Sequence, residues 1–160
     1  MAAPGIRPSR PEDRAALLAL IVELQEHERR LHDGLRPGHE IAEAYLAYLE
    51  HHLRVGEGEL LVAERDGEVV GFIAHLVERY DGPEETPDSG VFALVSDLCV
   101  SERRRGQGIA RALLAAAEAY ARGKGLARLR VEVLSANREA AAAYRRFGFE
   151  PYTALLENRL

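Results

Sequence analysis

The feature that most constrains this chain is an apolar run that leads through a glycine-containing turn into an alanine-rich helical pattern. The residues VFALVSDLCV, 91–100, have the apolar content of a buried strand. The next residues, SERRRGQG, contain three arginines and two glycines. The apolar pattern that follows predicts a helix over Gln107 to Ala121. A buried strand that feeds directly into a helix favours an α/β fold.

The amino-terminal third of the chain predicts a short strand near Ile6–Pro8 and two helices. Ser9 and Glu12 have the spacing of a capping box, with Pro11 in the first turn. The apolar face of the first helix consists of Leu17, Ile21, Leu24 and Leu31. The second helix is predicted over Glu40–Leu53, with Ile41, Tyr45 and Leu49 on one face.

A β-hairpin is predicted around Asp66-Gly67, because a DG dipeptide between apolar runs is a strong hairpin signal. Its strands are Leu60–Arg65 and Glu68–Arg79. After the glycine turn and its helix, the pattern predicts a strand over residues 126–134, a helix over Asn137–Arg146 and a last strand within residues 147–160. The expectation is one mixed α/β domain over residues 1–160, in the order β-α-α-β-β-β-α-β-α-β.

Composition excludes several classes of function. The net charge of −5 disfavours general nucleic-acid binding. No apolar run approaches the roughly 20 residues of a membrane-spanning helix, and the first ten residues lack the apolar centre of a secretion signal, so we expect no membrane partner and a cytoplasmic protein. Cys99 is the only cysteine and the histidines lack metal-ligand spacing, so neither a disulfide nor a metal site is expected.

The turn before the predicted helix has the character of a phosphate site. Four arginines and one glutamate between residues 101 and 111 give a local charge of +3. Gly106 and Gly108 remove side chains from the helix amino terminus, where unpaired N–H groups attract anions. A capped helix with solvated arginines is the alternative. The turn does not match a P-loop, because no lysine follows its glycines. It does not match a dinucleotide-binding motif either, because Arg111 stands at the position of the third glycine.

The run LCVSERRRGQGIARALL resembles the acetyl-CoA-binding motif of the GNAT superfamily of N-acetyltransferases, Arg/Gln-x-x-Gly-x-Gly/Ala, which begins at Arg105. The segment from Ser135 to Tyr152 is similar to the second superfamily motif, an asparagine, an alanine-rich half-helix, a tyrosine and Gly-Phe. Together with the DG hairpin before them, the two motifs cover the chain in outline. The resemblance implies a twisted mixed sheet flanked by helices and splayed open to admit acetyl-CoA as co-substrate.

The resemblance also implies site residues. The turn would bind the CoA pyrophosphate, the Leu98 and Val100 backbone would pair with the pantetheine arm, and Arg103 and Arg104 would reach the remaining phosphate. The residues so assigned to the cofactor are Leu98, Cys99, Val100, Arg103, Arg104, Arg105, Gly106, Gln107, Gly108, Ile109, Ala110, Arg111, Asn137 and Tyr144. Asn137 has an ordinary helix N-cap as its alternative role.

Two residues carry the catalytic expectation. Tyr144 matches the position from which a tyrosine protonates the departing thiolate; its alternative is a core aromatic. Asp97 interrupts an apolar strand, which is expensive unless the charge is paired or functional, and is the candidate base. Glu132 is the second choice. Several family members carry a glutamate earlier on this strand, where this chain has Leu94 or Ser96. Cys99 is expected to be a packing residue rather than a nucleophile.

The expected acceptor is a primary amine of a small molecule or peptide. Its surfaces would be the first two helices, including Tyr45, Tyr48, His51 and His52, and the loop from Glu78 to Gly90, whose charge of −4 favours a cationic amine. A polyamine, an aminosugar, an amino acid and a peptide amine stay open. The alternative function is a non-catalytic acyl-CoA-binding or regulatory module. Pairing of the terminal strand across a homodimer is an analogy with related folds.

Overall fold

The computed structural model describes residues 3–160 and shows one five-stranded sheet with helices on both faces. The strands are β1 (Gly5–Pro8), β2 (Glu59–Arg65), β3 (Glu68–Arg79), β4 (Val91–Val100) and β5 (Leu129–Val131), and the helices are α1 (Arg14–Arg29), α2 (Gly38–Val55), α3 (Ile109–Gly123) and α4 (Arg138–Phe147). The predicted mixed α/β fold is confirmed. The predicted domain range includes Met1 and Ala2, which lie outside the described residues.

The sheet has the order β1-β2-β3-β4-β5. Its first four strands pair antiparallel, whereas β5 pairs parallel to β4 through three residue pairs that end at Val95 and Val131. The predicted hairpin is confirmed: Asp66 and Gly67 join β2 to β3 with φ of 54° and 77°. A two-residue turn with positive φ at both positions matches the twist of the strands it joins.

The two faces of the sheet carry separate apolar clusters. Helices α1 and α2 cover one face, where Ile21, Leu46 and Leu49 pack against Phe72 and Leu76. Helix α3 covers the other with Ile109, Leu113 and Leu114 against strand residues, and Tyr144 and Phe147 of α4 pack against its margin. The apolar periodicity of each helix therefore corresponds to the sheet face that it buries.

The start of α1 differs from the sequence-based expectation. Helix α1 begins at Arg14 after a short 3-10 turn over Pro11–Asp13, and the Asp13 carboxylate accepts a hydrogen bond from the Arg10 N–H at 2.7 Å. The predicted Ser9–Glu12 capping box is wrong, because the Ser9 N–H bonds instead to the Leu60 carbonyl beside β1. Asp13 also receives a bidentate hydrogen bond from Arg7, so it joins β1 to the helix.

The end of the chain also differs. The predicted last strand over residues 147–160 is wrong: α4 includes Phe147, and residues 150–160 form neither helix nor strand. A strand needs a neighbouring edge to pair with, and the β5 edge is only three residues long. The segment instead contacts the α1–α2 connection through pairs between Arg159 and Asp33 and between Glu157 and His32.

Candidate active site

The parallel pairing of β4 and β5 stops halfway along β4. Beyond Val95, residues 96–100 of β4 keep β3 on one side, and no strand in residues 3–160 pairs with their other side. Unpaired N–H and C=O groups on a strand edge can hydrogen-bond an extended ligand as though it were another strand. The sheet therefore opens at this point into a gap between β4 and β5.

A β-bulge lies at the start of this free edge. Ala74 of β3 pairs with Asp97 and His75 pairs with Val95, which leaves Ser96 as an extra residue on β4. A bulge shifts the alternation of side chains between the two faces. Leu94 and Cys99 consequently share the α1/α2 face of the sheet, whereas Val95 and Leu98 share the α3 face. Asp97 points to the α1/α2 face, where Tyr45 of α2 contacts it.

The glycine turn lies directly after the free edge. Gly106 and Gly108 have φ of 73° and 78°, and Gly108 immediately precedes the first residue of α3. A Cβ on either glycine would meet no protein atom within 4 Å, so positive φ, and not protein crowding, is what requires glycine here. The first N–H groups of α3 lack intrahelical partners and lie at the positive end of the helix dipole.

One cavity of about 820 Å³ joins the free edge, the glycine turn and the carboxyl half of α1. The predicted site residues that line it are Asp97, Leu98, Cys99, Val100, Arg104, Arg105, Gly106, Gly108, Ile109, Ala110, Arg111, Glu132, Asn137 and Tyr144. These residues come from β4, the turn, α3, the segment after β5, and α4. The gap between β4 and β5 is thus continuous with the surface of the glycine turn, where unpaired N–H groups attract anions.

Two of the predicted cofactor residues do not line this cavity. Arg103 lines a smaller depression, together with Glu68 and Ser101. Gln107 accepts a 2.6 Å hydrogen bond from Arg65 of β2 through its side chain, which holds the turn against the sheet. The acidic loop over 78–90, together with Tyr48, His51 and His52, also lies outside the cavity lining.

The carboxylate of Asp97 is buried beside the free edge, with the residue 7% exposed. The Tyr45 hydroxyl donates a 2.7 Å hydrogen bond to its Oδ1 atom. Burial raises the pKa of Asp97, against the lowering effect of the Tyr45 and Ser96 hydrogen bonds and of His52. Burial, the Asp97 charge and the shared hydrogen bond raise the pKa of Tyr45 in turn. Tyr45 therefore stays protonated and donates.

A second carboxylate, that of Glu28 on α1, lines the same cavity. Burial raises the pKa of Glu28, and the negative charge of Asp97 raises it further. Sequence reasoning included Glu28 only within the first-helix surface and missed its role in the cavity. The available signal was its place on the apolar face, four residues after Leu24 and three before Leu31, where a carboxylate is otherwise costly.

Tyr144 lies on the opposite side of the cavity, on α4, in edge contact with Phe149. Burial raises the pKa of its phenol to about 12, with further increases from the negative charges of Glu28 and Asp97. The two carboxylates and the phenol therefore influence one another across the cavity. Sequence reasoning also missed Arg146, which lines the cavity from the same helix.

The alternative role of Asn137 and the expected packing role of Cys99 are both visible. The Asn137 side chain accepts a 3.1 Å hydrogen bond from the Ala140 N–H and so caps α4, while the residue also lines the cavity. Burial raises the pKa of Cys99 to about 12, and its Sγ lies 3.5 Å from the Leu20 carbonyl oxygen. A thiol in this state is a packing residue.

Neither a metal centre nor a membrane span is found in residues 3–160. No group of three or more histidine, cysteine, aspartate or glutamate side chains there is arranged to hold a metal ion. No helix in that range is both long and apolar enough to cross a bilayer.

A mixed sheet that splits beside a glycine turn defines an acyltransferase of the GNAT type, and the comparisons agree. The model of the acetyltransferase (GNAT) family matches residues 20–149, so the chain belongs to this family and is an acetyltransferase. An uncharacterized N-acetyltransferase, YhfO of Bacillus subtilis, is 31% identical over 95% of this chain and 93% of its own length.

Two further proteins to which the chain is similar are aminoglycoside acetyltransferases. Aminoglycoside N(6')-acetyltransferase type 1 of Stenotrophomonas maltophilia is 36% identical over 92% of this chain and 87% of its own. The solved structure of the aminoglycoside N-acetyltransferase AAC(6')-Iy in complex with CoA covers 100% of this chain and 97% of its own, with a TM-score of 0.72 and 20% identity. The latter shows the shared fold.

Proposed function

We propose that this protein transfers an acetyl group from acetyl-CoA directly to a primary amine within a ternary complex. The observation that carries the proposal is the continuity of one cavity from the glycine turn, along the free edge of β4, to Tyr144 and the carboxylates of Asp97 and Glu28. A site of this form has an anion-binding end, a strand edge for an extended arm, a proton donor and an acidic end for an ammonium group.

The donor would lie along β4. N–H groups of the glycine turn and of the first turn of α3 would bind the CoA diphosphate, and the backbone of Leu98 and Val100 would pair with the pantetheine arm. In the structure the Arg105 Nε–H donates a 3.2 Å hydrogen bond to the Val100 carbonyl. A carbonyl oxygen has two lone pairs, so the arm can use this carbonyl while Arg105 keeps its hydrogen bond.

The chemistry follows from the positions of the polar groups. The neutral amine attacks the thioester carbonyl, the C–N bond forms, and collapse of the tetrahedral intermediate breaks the C–S bond. Tyr144 would then give its proton to the departing thiolate. A phenol with a pKa of about 12 is protonated at neutral pH, so Tyr144 is present as the proton donor. A thiol ordinarily titrates near 8.5, so transfer from this phenol to the thiolate is uphill, and the phenolate has to regain a proton from the acceptor nitrogen or from solvent.

The acceptor end favours a cationic amine. Asp97 and Glu28 line the cavity there, while the cavity arginines come from the turn, α3 and α4. A protonated amine that enters this end compensates two carboxylates that burial otherwise penalises. Because the Stenotrophomonas relative is an aminoglycoside N(6')-acetyltransferase, aminoglycosides stand first in the acceptor panel, followed by polyamines and peptides with a free amine.

The test is release of free thiol from acetyl-CoA with each acceptor, in the parent protein and in Tyr144→Phe. We expect at least one amine to raise the rate, and Tyr144→Phe to lower kcat about 100-fold because a general acid is lost. Tyr80→Phe is the matched control, since Tyr80 is exposed and its hydroxyl bonds to Glu84 on a surface loop. CoA binding without thiol release for any amine, or an unchanged rate in Tyr144→Phe, would contradict the proposal.

A further inference from the structure

The two carboxylates of the acceptor end differ in how the protein holds them. Asp97 is almost completely buried, and its Oδ1 atom is occupied by the Tyr45 hydroxyl. Glu28 is partly exposed, and its carboxylate makes no hydrogen bond or ion pair with the residues that the structure describes. A proton acceptor has to reach the reacting amine and then return the proton to solvent. Glu28 meets both conditions better than Asp97 does.

We propose that Glu28, and not Asp97, takes the proton from the acceptor ammonium, and that Asp97 is a positioning residue that Tyr45 holds beside it. The inference rests on the proposed function and assigns the base within it. The base would thus come from α1, whereas the sequence placed it on β4. The bulge at Ser96 makes this arrangement possible, because it directs Asp97 towards the face of the sheet that α1 and α2 cover.

The groups around Glu28 determine its proton affinity. They are His27 on α1, Tyr45 on α2, Asp97 and Cys99 on β4, Glu132 after β5 and Tyr144 on α4. Burial and the Asp97 charge both raise the pKa of Glu28, which brings it closer to the operating range of a general base at neutral pH. Loss of the Asp97 charge would lower it again.

The proton balance is complete without a further reactant. The ammonium gives one proton to Glu28 and becomes the neutral nucleophile. After the C–N bond forms, the nitrogen carries one excess proton. As the C–S bond breaks, Tyr144 protonates the thiolate, and the excess proton of the nitrogen restores the Tyr144 phenol. The products are the amide, the thiol of CoA and one proton on Glu28, which then passes to solvent through the cavity mouth.

The experiment is the pH dependence of kcat/KM for the best acceptor, measured in Glu28→Gln and Asp97→Asn. We expect the parent rate to fall as pH decreases through the pKa of Glu28, because the base becomes protonated. Glu28→Gln should lose about 100-fold in kcat and lose this acid limb. Asp97→Asn, which can still accept from Tyr45, should retain an acid limb displaced to lower pH, because the like charge is gone.

A matched control is Glu50→Gln, which removes the same charge from an exposed position on α2 outside the cavity and should change neither rate nor profile. An unchanged acid limb in Glu28→Gln, or its loss in Asp97→Asn instead, would overturn the assignment. If Tyr144→Phe slows the reaction while Glu28→Gln does not, only this inference fails. If no amine reacts at all, the proposed function fails and the inference fails with it.

Discussion

Gly108 and Gly125 stand at opposite ends of α3 in the same left-handed conformation, with φ of 78° and 71°. A Cβ at either position would meet no protein atom within 4 Å, so alanine costs each about 1–2 kcal/mol from backbone strain alone. Only Gly108 lines the cavity. We therefore expect Gly108→Ala to weaken CoA binding about tenfold or more, or at least 1.4 kcal/mol, because its methyl group occupies the approach of the diphosphate.

Titration calorimetry with CoA and thermal unfolding of both variants check this prediction. Gly125→Ala should lose a similar free energy of unfolding while it binds CoA as the parent does. If the two variants bind CoA equally, the glycine turn is only a helix cap, and the diphosphate has to bind elsewhere.

Single residues show where sequence reasoning succeeds. Asp66-Gly67 and the glycines before α3 were predictable because the conformation that they require is local, within one turn of the chain. The hydrogen bond between Tyr45 and Asp97 was not, because the two residues are 52 positions apart and meet only when α2 packs on the sheet. Glu28 had a local signal in the apolar face of α1, but the sequence alone does not show what that face contacts.

At the scale of elements, β4 was predicted with its observed bounds, but its bulge was not. The residues VFALVSDLCV indicate a buried strand, whereas the extra residue at Ser96 depends on the register with β3. The last predicted strand failed for a related reason. Residues 150–160 contain enough apolar positions for a strand, but Leu155 and Leu156 remain 98% and 90% exposed because no long edge is available to them.

The contact between β3 and α3 contains a fully buried histidine. Neither ring nitrogen of His75 has a hydrogen-bond partner among the described residues, although its Nε2 lies 3.5 Å from the Glu59 Oε2 atom. Its ring lies 4.5 Å from that of Tyr120. Burial lowers the pKa of His75 despite the nearby Glu59. The unfolded chain then binds more protons than the folded one, so stability is present above the ordinary pKa of about 6.5 and is lost as pH falls below it.

We expect His75→Leu to remove this loss of stability on acidification. One such group changes the free energy of unfolding by at most about 1.4 kcal/mol per pH unit. The variant should therefore become more stable relative to the parent as the pH falls from about 7.5 to 5.5. Urea unfolding at the two pH values measures it. His51→Gln, at an exposed position of α2, is the control and should retain the parent's dependence. Equal acid dependence in His75→Leu and the parent would show that His75 does not carry the effect.

At the scale of the whole molecule, arginines and buried carboxylates line one cavity although the chain carries a net charge of −5. In the proposed division, the arginines of the turn, α3 and α4 bind the donor, and Asp97 and Glu28 face the acceptor amine. The contiguous residues Arg104 and Arg105 of the predicted basic cluster line the cavity, whereas Arg103 does not. Sequence reasoning missed Glu28 of α1 and Arg146 of α4, since those helices reach the cavity only through packing on opposite faces of the sheet.

Arg145 and Arg146 test this division, because they are adjacent and exposed on α4 but only Arg146 lines the cavity. A guanidinium near the diphosphate contributes through a screened, partly exposed charge, so Arg146→Gln should raise the KM for acetyl-CoA about three- to fivefold at low salt. The difference in KM between the variant and the parent should shrink as the ionic strength rises to about 0.5 M, because the screening length then falls well below 10 Å. Arg145→Gln removes the same charge from the same helix and should leave KM unchanged. Equal effects of the two variants would mean that the net charge of α4, and not the geometry of the cavity, attracts the donor.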